Sequence, residues 1–143
     1  MQVKEIMNKD VQKIFTKATV RDAAKMMEEK NVGSLIVVED SRLAGIITEN
    51  DIIRKIIGEG KPAQTTTVEE IMVKKVIHIS PESSLEDAAE LMTEKKIKKL
   101  PVVENKKLLG IVTATDIVAA EPKMMEHLGE LLLFAKKQQR IAG

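Results

Sequence analysis

One seven-residue motif occurs twice in this chain, and it predicts how the chain folds. The two copies are Gly45-Ile46-Ile47-Thr48-Glu49-Asn50-Asp51 and Gly110-Ile111-Val112-Thr113-Ala114-Thr115-Asp116. In each copy a short apolar run ends at a Thr, which is a preferred residue at the start of a helix. The motif therefore predicts a buried strand that leads directly into a helix, at two places 65 residues apart.

The similarity extends on both sides of the motif. At the same offset the matched segments are Val3-Lys4-Glu5-Ile6-Met7 with Val68-Glu69-Glu70-Ile71-Met72, Asp22-Ala23-Ala24 with Asp87-Ala88-Ala89, and Leu35, Val37, Val38 and Glu39 with Leu100, Val102, Val103 and Glu104. No gap is needed between positions 3 and 54. Such agreement indicates that one structural unit is duplicated.

Each copy predicts the element order β-α-β-β-α and hence an α+β fold. Thr19 and Ser84 occupy N-cap positions, and Asp22 and Asp87 follow at capping-box spacing. The predicted strands are 11–15, 35–38 and 43–48 in the first copy and 76–79, 100–103 and 108–113 in the second. Short turns join the last two strands of each copy as a hairpin.

The repeat divides the chain into four parts. Residues 1–57 form the first predicted domain and residues 68–120 the second, while the Gly-, Pro- and Thr-rich residues 58–67 form a linker. Residues 121–143 are predicted to form an amphipathic C-terminal helix, which begins at about Pro122 and carries Lys136, Lys137 and Arg140 near its end. The apolar side of that helix needs cover, either from the chain's own core or from a second subunit.

Composition excludes several classes of function. The 143 residues are 43% hydrophobic and 31% charged, and 23 basic against 22 acidic residues give a net charge of +1. So balanced a chain has no strong field to attract nucleic acid. There is no cysteine, and the two histidines lie in unrelated contexts, so we expect no metal site and no thiol chemistry. No signal-peptide or membrane-spanning pattern is present, which predicts a cytoplasmic location.

The repeated motif also has the chemistry of a nucleotide site. A Thr at the mouth of a helix, beside free backbone amides, can hold a phosphate. A carboxylate one turn later, Asp51 or Asp116, can accept hydrogen bonds from both hydroxyls of a ribose. The alternative is that Thr-x-x-Asp is simply a helix cap. The spacing leaves both interpretations open.

Two lysines add to this pattern in the second copy only. Lys98 and Lys99 precede the buried strand and could complete a phosphate site with Thr113 and Thr115. The alternative is a solvated lysine face, since Lys95 and Lys96 are close by. The first copy has Gly33 and Ser34 at these positions, so we expect its hold on phosphate to be weaker.

Taken together, these motifs resemble a pair of cystathionine-β-synthase-type (CBS) domains, also called a Bateman module. The resemblance covers residues 3 to about 119 and rests on the Ile-Met lead-in, the Asp-Ala-Ala helix, the Leu-Pro-Val-Val strand and the closing Gly-Ile-Val-Thr-x-x-Asp turn. It implies two domains packed sheet to sheet about a pseudo-two-fold axis, with two equivalent clefts. It also implies that modules pair into disc-like homodimers.

The resemblance further implies an adenosine ligand in the clefts: AMP, ADP or ATP, with S-adenosylmethionine ranked after them. Ribose would meet Asp51 or Asp116, and phosphate would meet Thr48 in one cleft and Thr113 with Thr115 in the other. Asn50 replaces Thr115 in the first copy, which weakens the expectation there. Gly33, Ser34, Lys98 and Lys99 would face the clefts. The ligand would be regulatory, with no catalytic cofactor.

The leading hypothesis is thus a non-enzymatic, nucleotide-sensing module with no membrane association. It would act through a separate, unidentified effector protein or as a free-standing nucleotide binder. Two alternatives remain. A nucleic-acid-binding regulator would use the lysine-rich edge at 95–99, against which the balanced charge and the scarcity of aromatic residues argue. A structural scaffold would have clefts filled by its own Leu or Met side chains. An enzyme ranks last, because no nucleophile–base pair or phosphate-binding loop is recognisable.

Overall fold

A computed structural model describes the backbone of residues 1–142 and the side chains of residues 1–133. The fold is α+β, as predicted, and both copies contain the expected helix–hairpin–helix order. The strands are β1 (Lys13–Phe15), β2 (Ser34–Glu39), β3 (Arg42–Thr48), β4 (Lys99–Glu104) and β5 (Lys107–Thr113). The helices are α1 (Val20–Lys30), α2 (Glu49–Ile52), α3 (Val68–Ile71), α4 (Leu85–Lys95), α5 (Ala114–Ala120) and α6 (Met125–Ala142), with a π-helical turn at Ile53–Ile57 and 3₁₀ turns at Val3–Glu5 and Pro122–Met124.

The chain forms two compact units, and neither unit is a continuous half of the sequence. The first-repeat unit contains Val11–Val76 together with Lys106–Leu108. The second-repeat unit contains Met1–Asp10, Ile77–Asn105 and the chain from Leu109 onward. The first ten residues therefore belong to the unit built mainly from the second repeat. The ranges 1–57 and 68–120 predicted from the sequence describe the two copies of the repeat, and the compact units have the different bounds given above.

Three strands form the sheet of the first-repeat unit. β1 runs parallel to β2, with Ile14 opposite Val37, and β2 is antiparallel to β3, with Ser34 opposite Thr48. The β2–β3 turn places Asp40 and Ser41 at positive φ, the left-handed conformation of a tight hairpin. This register brings the start of β2 next to the end of β3.

The second-repeat unit has a shorter version of this sheet. β4 and β5 are neighbours, but the predicted strand 76–79 is reduced to one parallel bridge, between Ile79 and Val102. In the first copy the Ile36 amide donates to the Gln12 carbonyl at 3.3 Å. The equivalent residue is Pro101, which has no N–H to donate, so the prediction of a full strand was wrong there.

The Ile-Met lead-in of each repeat packs into the unit built mainly from the other repeat. The Val3 amide donates to the Ser83 carbonyl at 2.8 Å, and the Val68 amide donates to the Ala18 carbonyl at 2.8 Å. Val3 and Val68 are both fully buried, each in the core of its unit. The prediction that these segments anchor to a core is confirmed, and the structure adds that the two segments are exchanged.

A capping interaction starts the α3 helix of this second lead-in. The carboxylate of Glu70 accepts hydrogen bonds from the backbone amide of Thr67 at 2.6 Å and from its hydroxyl at 3.0 Å. These hydrogen bonds to the charged form lower the pKa of Glu70 below its ordinary value. The predicted caps of α1 and α4 are also present, since the hydroxyls of Thr19 and Ser84 accept from the amides three residues later.

The first part of the C-terminal segment packs on its own unit. Met124 and Leu128 are buried in the core that contains α4 and α5, and Leu131 and Leu132 pack against it. Of the two predicted kinds of cover, the structure therefore shows the chain's own core. The predicted cationic end at Lys136, Lys137 and Arg140 lies outside the described side chains. No helix in the described part of the chain is long and apolar enough to cross a membrane.

Candidate functional site

The predicted site residues of the first copy meet where two strands end, and we call this place the first corner. Ser34 lies opposite Thr48 in the β2–β3 register, and the Glu49 amide donates to the Gly33 carbonyl at 3.0 Å. The Thr48 hydroxyl accepts from the Asp51 amide at 3.1 Å and so begins α2. Five predicted residues are therefore close together: Gly33, Ser34, Thr48, Asn50 and Asp51.

The second copy builds the same arrangement, the second corner. The Ala114 amide donates to the Lys98 carbonyl at 2.8 Å, which is the equivalent of the bond at Gly33. The Thr113 hydroxyl accepts from the Asp116 amide at 3.1 Å and begins α5. Exposed lysines thus stand at the start of β4, beside the first turn of α5. The residues brought together are Lys98, Lys99, Thr113, Thr115 and Asp116.

Some of the backbone amides at each corner already have hydrogen-bond partners. In the first turn of α2, Glu49 donates to the Gly33 carbonyl and Asp51 donates to the Thr48 hydroxyl. The second corner repeats both bonds at Ala114 and Asp116. Two of the first-turn amides at each corner are therefore already bonded within the protein. A phosphate at either corner would depend mainly on side chains.

The two motif aspartates differ in burial and in their partners. Asp51 is buried, and its carboxylate accepts from the Thr48 amide at 3.0 Å and from the Arg54 guanidinium at 3.3 Å. Asp116 is only partly buried, and within the described side chains its carboxylate has no hydrogen bond or ion pair. A ribose hydroxyl needs an accessible acceptor, so only the Asp116 carboxylate is available in this conformation.

The charges around the corners are also opposite in sign. A methyl group added at Gly33 would lie 3.5 Å from Cδ of Glu49, so an acidic side chain stands over the first corner. The side chains of Glu49, Asp51 and Arg54 sum to −1, from two acids and one base. At the second corner Lys98, Lys99 and Asp116 sum to +1, from two bases and one acid. An anionic ligand is therefore favoured at the second corner.

Sequence reasoning missed Arg54 and Glu49 as residues that shape the first corner. The signal available was the repeat itself, because their counterparts at the 65-residue offset are Ala119 and Ala114. Where one copy of the repeat has a charged residue and the other has alanine at the equivalent position, the two copies differ in chemistry. The described residues contain no cluster of His, Asp or Glu suited to a metal ion.

The comparisons with known proteins agree on the family. A family model described as "CBS domain" matches residues 3–58 and 68–123. Over 121 residues the chain is 43% identical to "CBS domain-containing protein CBSX3, mitochondrial" of Arabidopsis thaliana, and this match covers 81% of the chain but 58% of that protein. It is 36% identical over 115 residues to "CBS domain-containing protein YhcV" of Bacillus subtilis, covering 80% of the chain and 81% of YhcV.

Solved structures are similar as well. The chain matches the "hexameric CBS-CP12 protein from bloom-forming cyanobacteria" with a TM-score of 0.66 and 33% identity, over 99% of the chain and 86% of that protein. The two matched family segments are the two repeats seen in the sequence.

Proposed function

Because the chain belongs to the CBS-domain family, we propose that it is a regulatory module that binds an adenine nucleotide (AMP, ADP or ATP) and catalyses no reaction itself. The observation that carries the proposal is the second corner. Lys98 and Lys99 stand there beside Thr113, next to an Asp116 carboxylate that is partly exposed and without a partner among the described side chains.

Each part of the nucleotide has a chemical match at this corner. Lysine ammonium groups attract the phosphate and donate to its oxygens, and the Thr hydroxyls can donate to them as well. The Asp116 carboxylate can accept from the two ribose hydroxyls, since it is acceptor-only with two oxygens. The bound nucleotide would change the stability of the module, and a separate effector protein would sense that change.

We predict that AMP or ATP raises the melting temperature of the protein and that Asp116→Ala removes most of the rise. A ligand that binds only the folded state stabilises it by about 2.7 kcal/mol at a hundredfold excess over Kd, and the loss of both ribose hydrogen bonds would weaken binding strongly. Differential scanning fluorimetry against AMP, ADP, ATP and adenosine measures the effect.

The matched control for this experiment is Asp87→Ala. Asp87 holds the same helix position in α4, where its amide donates to Ser84 at 3.0 Å, but it lies away from both corners in sequence and is exposed. This variant should retain the full shift with nucleotide. If no adenosine compound changes the melting temperature of the unaltered protein, the proposed function is wrong.

We also propose that the module pairs with a second copy of itself through the helical face of the first-repeat unit. A groove of about 630 Å³ runs along α1 and α2 there, lined partly by Met27, Val32 and Ile52. Ile53, which lines the groove, is 54% exposed, and Ile57, in the same π-helical turn, is 74% exposed. The corresponding helices of the second-repeat unit, α4 and α5, are in contact with α6, whereas Ile53 and Ile57 remain exposed in the described part of the chain. The hexameric assembly of the CBS-CP12 protein is consistent with pairing.

The substitution Ile53→Glu should weaken the dimer at least about tenfold, since Ile53 lines the groove and burying a carboxylate in an apolar contact is unfavourable. The fold should be retained, because an exposed position tolerates a polar residue. Sedimentation at several concentrations measures the association. Phe15→Glu is the control, since Phe15 is 65% exposed in β1 of the same unit but does not line the groove. A dimer that is unchanged by Ile53→Glu contradicts the proposed face.

A further inference from the structure

We propose that the Arg54 guanidinium pairs with the Asp51 carboxylate and so keeps a ribose away from the first corner. One adenine nucleotide per chain therefore binds, and it binds at the second corner. This inference rests on the proposed function and deepens it. It assigns unequal roles to two motifs that share the same Thr-x-x-Asp spacing.

Geometry at the first corner supports this role for Arg54. Its Nη2 lies 3.3 Å from Oδ1 of Asp51, and its Nε donates to the Asn50 carbonyl at 3.4 Å. The Asp51 side chain is 3% exposed, while the Arg54 side chain is 71% exposed. With Oδ2 taken by the Thr48 amide at 3.0 Å, both carboxylate oxygens already have donors. A ribose would have to displace the guanidinium to reach them.

The backbone after α2 places Arg54 for this contact. Arg54 lies in the π-helical turn Ile53–Ile57, three residues beyond Asp51. The second copy continues as a regular helix through Ala120, with Ala119 at the equivalent position. An alanine cannot reach Asp116, so the second carboxylate stays available.

The charge difference acts in the same direction. Glu49 adds a negative charge beside Gly33, whereas Ala114 and Lys98 replace this pair in the second copy. At the first corner the negative charge of Glu49 therefore disfavours binding of a phosphate, and the Arg54 guanidinium competes with a ribose for Asp51. Separate probes distinguish these two effects: adenosine tests the ribose contact alone, and AMP tests both.

Amide NMR of the isotope-labelled chain, titrated with adenosine and with AMP, tests the inference. In the unaltered protein we expect shifts at the second corner, around Lys98 and Thr113, and none at Thr48 to Asp51. Arg54→Ala should add shifts at Thr48 to Asp51 with adenosine. Arg21→Ala is the matched control, since Arg21 is an exposed arginine on α1 of the same unit, and it should leave the pattern unchanged.

The reciprocal variant moves the ion pair to the other copy. Ala119→Arg should weaken adenosine binding at the second corner about tenfold or more, because its guanidinium would compete for Asp116. Ala119→Gln, similar in length but neutral, should weaken it much less.

Several results would overturn the inference. Shifts of equal size at both corners in the unaltered protein would contradict it and leave the proposed function intact. The same holds if Arg54→Ala adds nothing at Thr48 to Asp51, or if Ala119→Arg binds adenosine as well as Ala119→Gln does. An absence of shifts at both corners with either probe would reject the proposed function as well.

Discussion

Replacement of Val3 by Asp should unfold the second-repeat unit first, although Val3 stands at the start of the first repeat. Val3 is fully buried among side chains that include Leu85 and Met92, and an uncompensated buried carboxylate is among the most destabilising changes known. We expect a loss of about 4 kcal/mol or more in the free energy of unfolding. Urea denaturation measures the loss, and hydrogen exchange locates it.

Hydrogen exchange should identify the unit that opens. In Val3→Asp the amides of α4 and β5 should lose protection first, because the lead-in also bonds to β5, where the Asn8 amide donates to the Ile111 carbonyl at 2.8 Å. Val68→Asp is the reciprocal variant, since Val68 is fully buried with Val20 and Leu35 in the first-repeat unit. It should expose the amides of α1 and β3 first.

The control for both variants is Ile77→Asp. Ile77 is 38% exposed, so a carboxylate there can remain hydrated, and the cost should be much smaller. If Val3→Asp reduces the exchange protection of residues 11–58 while residues 77–120 stay protected, the claim that each lead-in packs into the unit of the other repeat is wrong.

Gly45→Ala should destabilise the protein by about 3 kcal/mol, which is a large effect for the addition of one methyl group. That methyl would lie 2.7 Å from the Val73 carbonyl oxygen and 2.7 Å from Sδ of Met72. The Met72 side chain can move, but the carbonyl is held by the Ile46 amide, which donates to it at 3.0 Å. The strand and the lead-in would have to separate.

Two further glycine variants make this experiment specific. Gly110→Ala should have a similar cost, because its methyl would lie 2.8 Å from the Asn8 carbonyl oxygen. Gly129→Ala should instead stabilise the protein by up to about 1 kcal/mol, since it lies within α6 with its nearest neighbour at 4.0 Å and alanine favours helix. Urea denaturation compares all three. A Gly45→Ala variant as stable as the unaltered protein would show that the close approach is unimportant.

These predictions concern the parts of the fold that sequence reasoning reached least well. The duplication, the hairpins and the caps at Thr19, Thr48, Ser84 and Thr113 were all predictable. They depend on contacts within a few residues, so spacing and residue type are sufficient to find them. The strand at 76–79 was predicted from its apolar pattern, but Pro101 on the neighbouring strand removes a necessary donor.

Which residues make up the candidate site was predictable, but whether the carboxylate of Asp51 is accessible or paired was not. The residues at 33–34 and 48–51 belong together because hairpin register brings them together, and a register can be inferred from a repeat. Whether Asp51 is open or paired depends on where the Arg54 side chain lies. A helix surface allows several directions for so long a side chain, so sequence spacing alone leaves that contact undecided.

The sequence by itself determined that this protein is a duplicated β-α-β-β-α unit with a Thr-x-x-Asp corner in each copy, because those features arise from local periodicity and capping. Only the tertiary structure decided that the lead-in of each repeat completes the other repeat's unit and that Gly45 must lack a side chain. It also decided that Asp51 is paired with Arg54, while Asp116 has no such partner among the described side chains. The physical reason is that these contacts join residues distant in the chain or depend on side-chain direction, and neither is encoded in residue spacing.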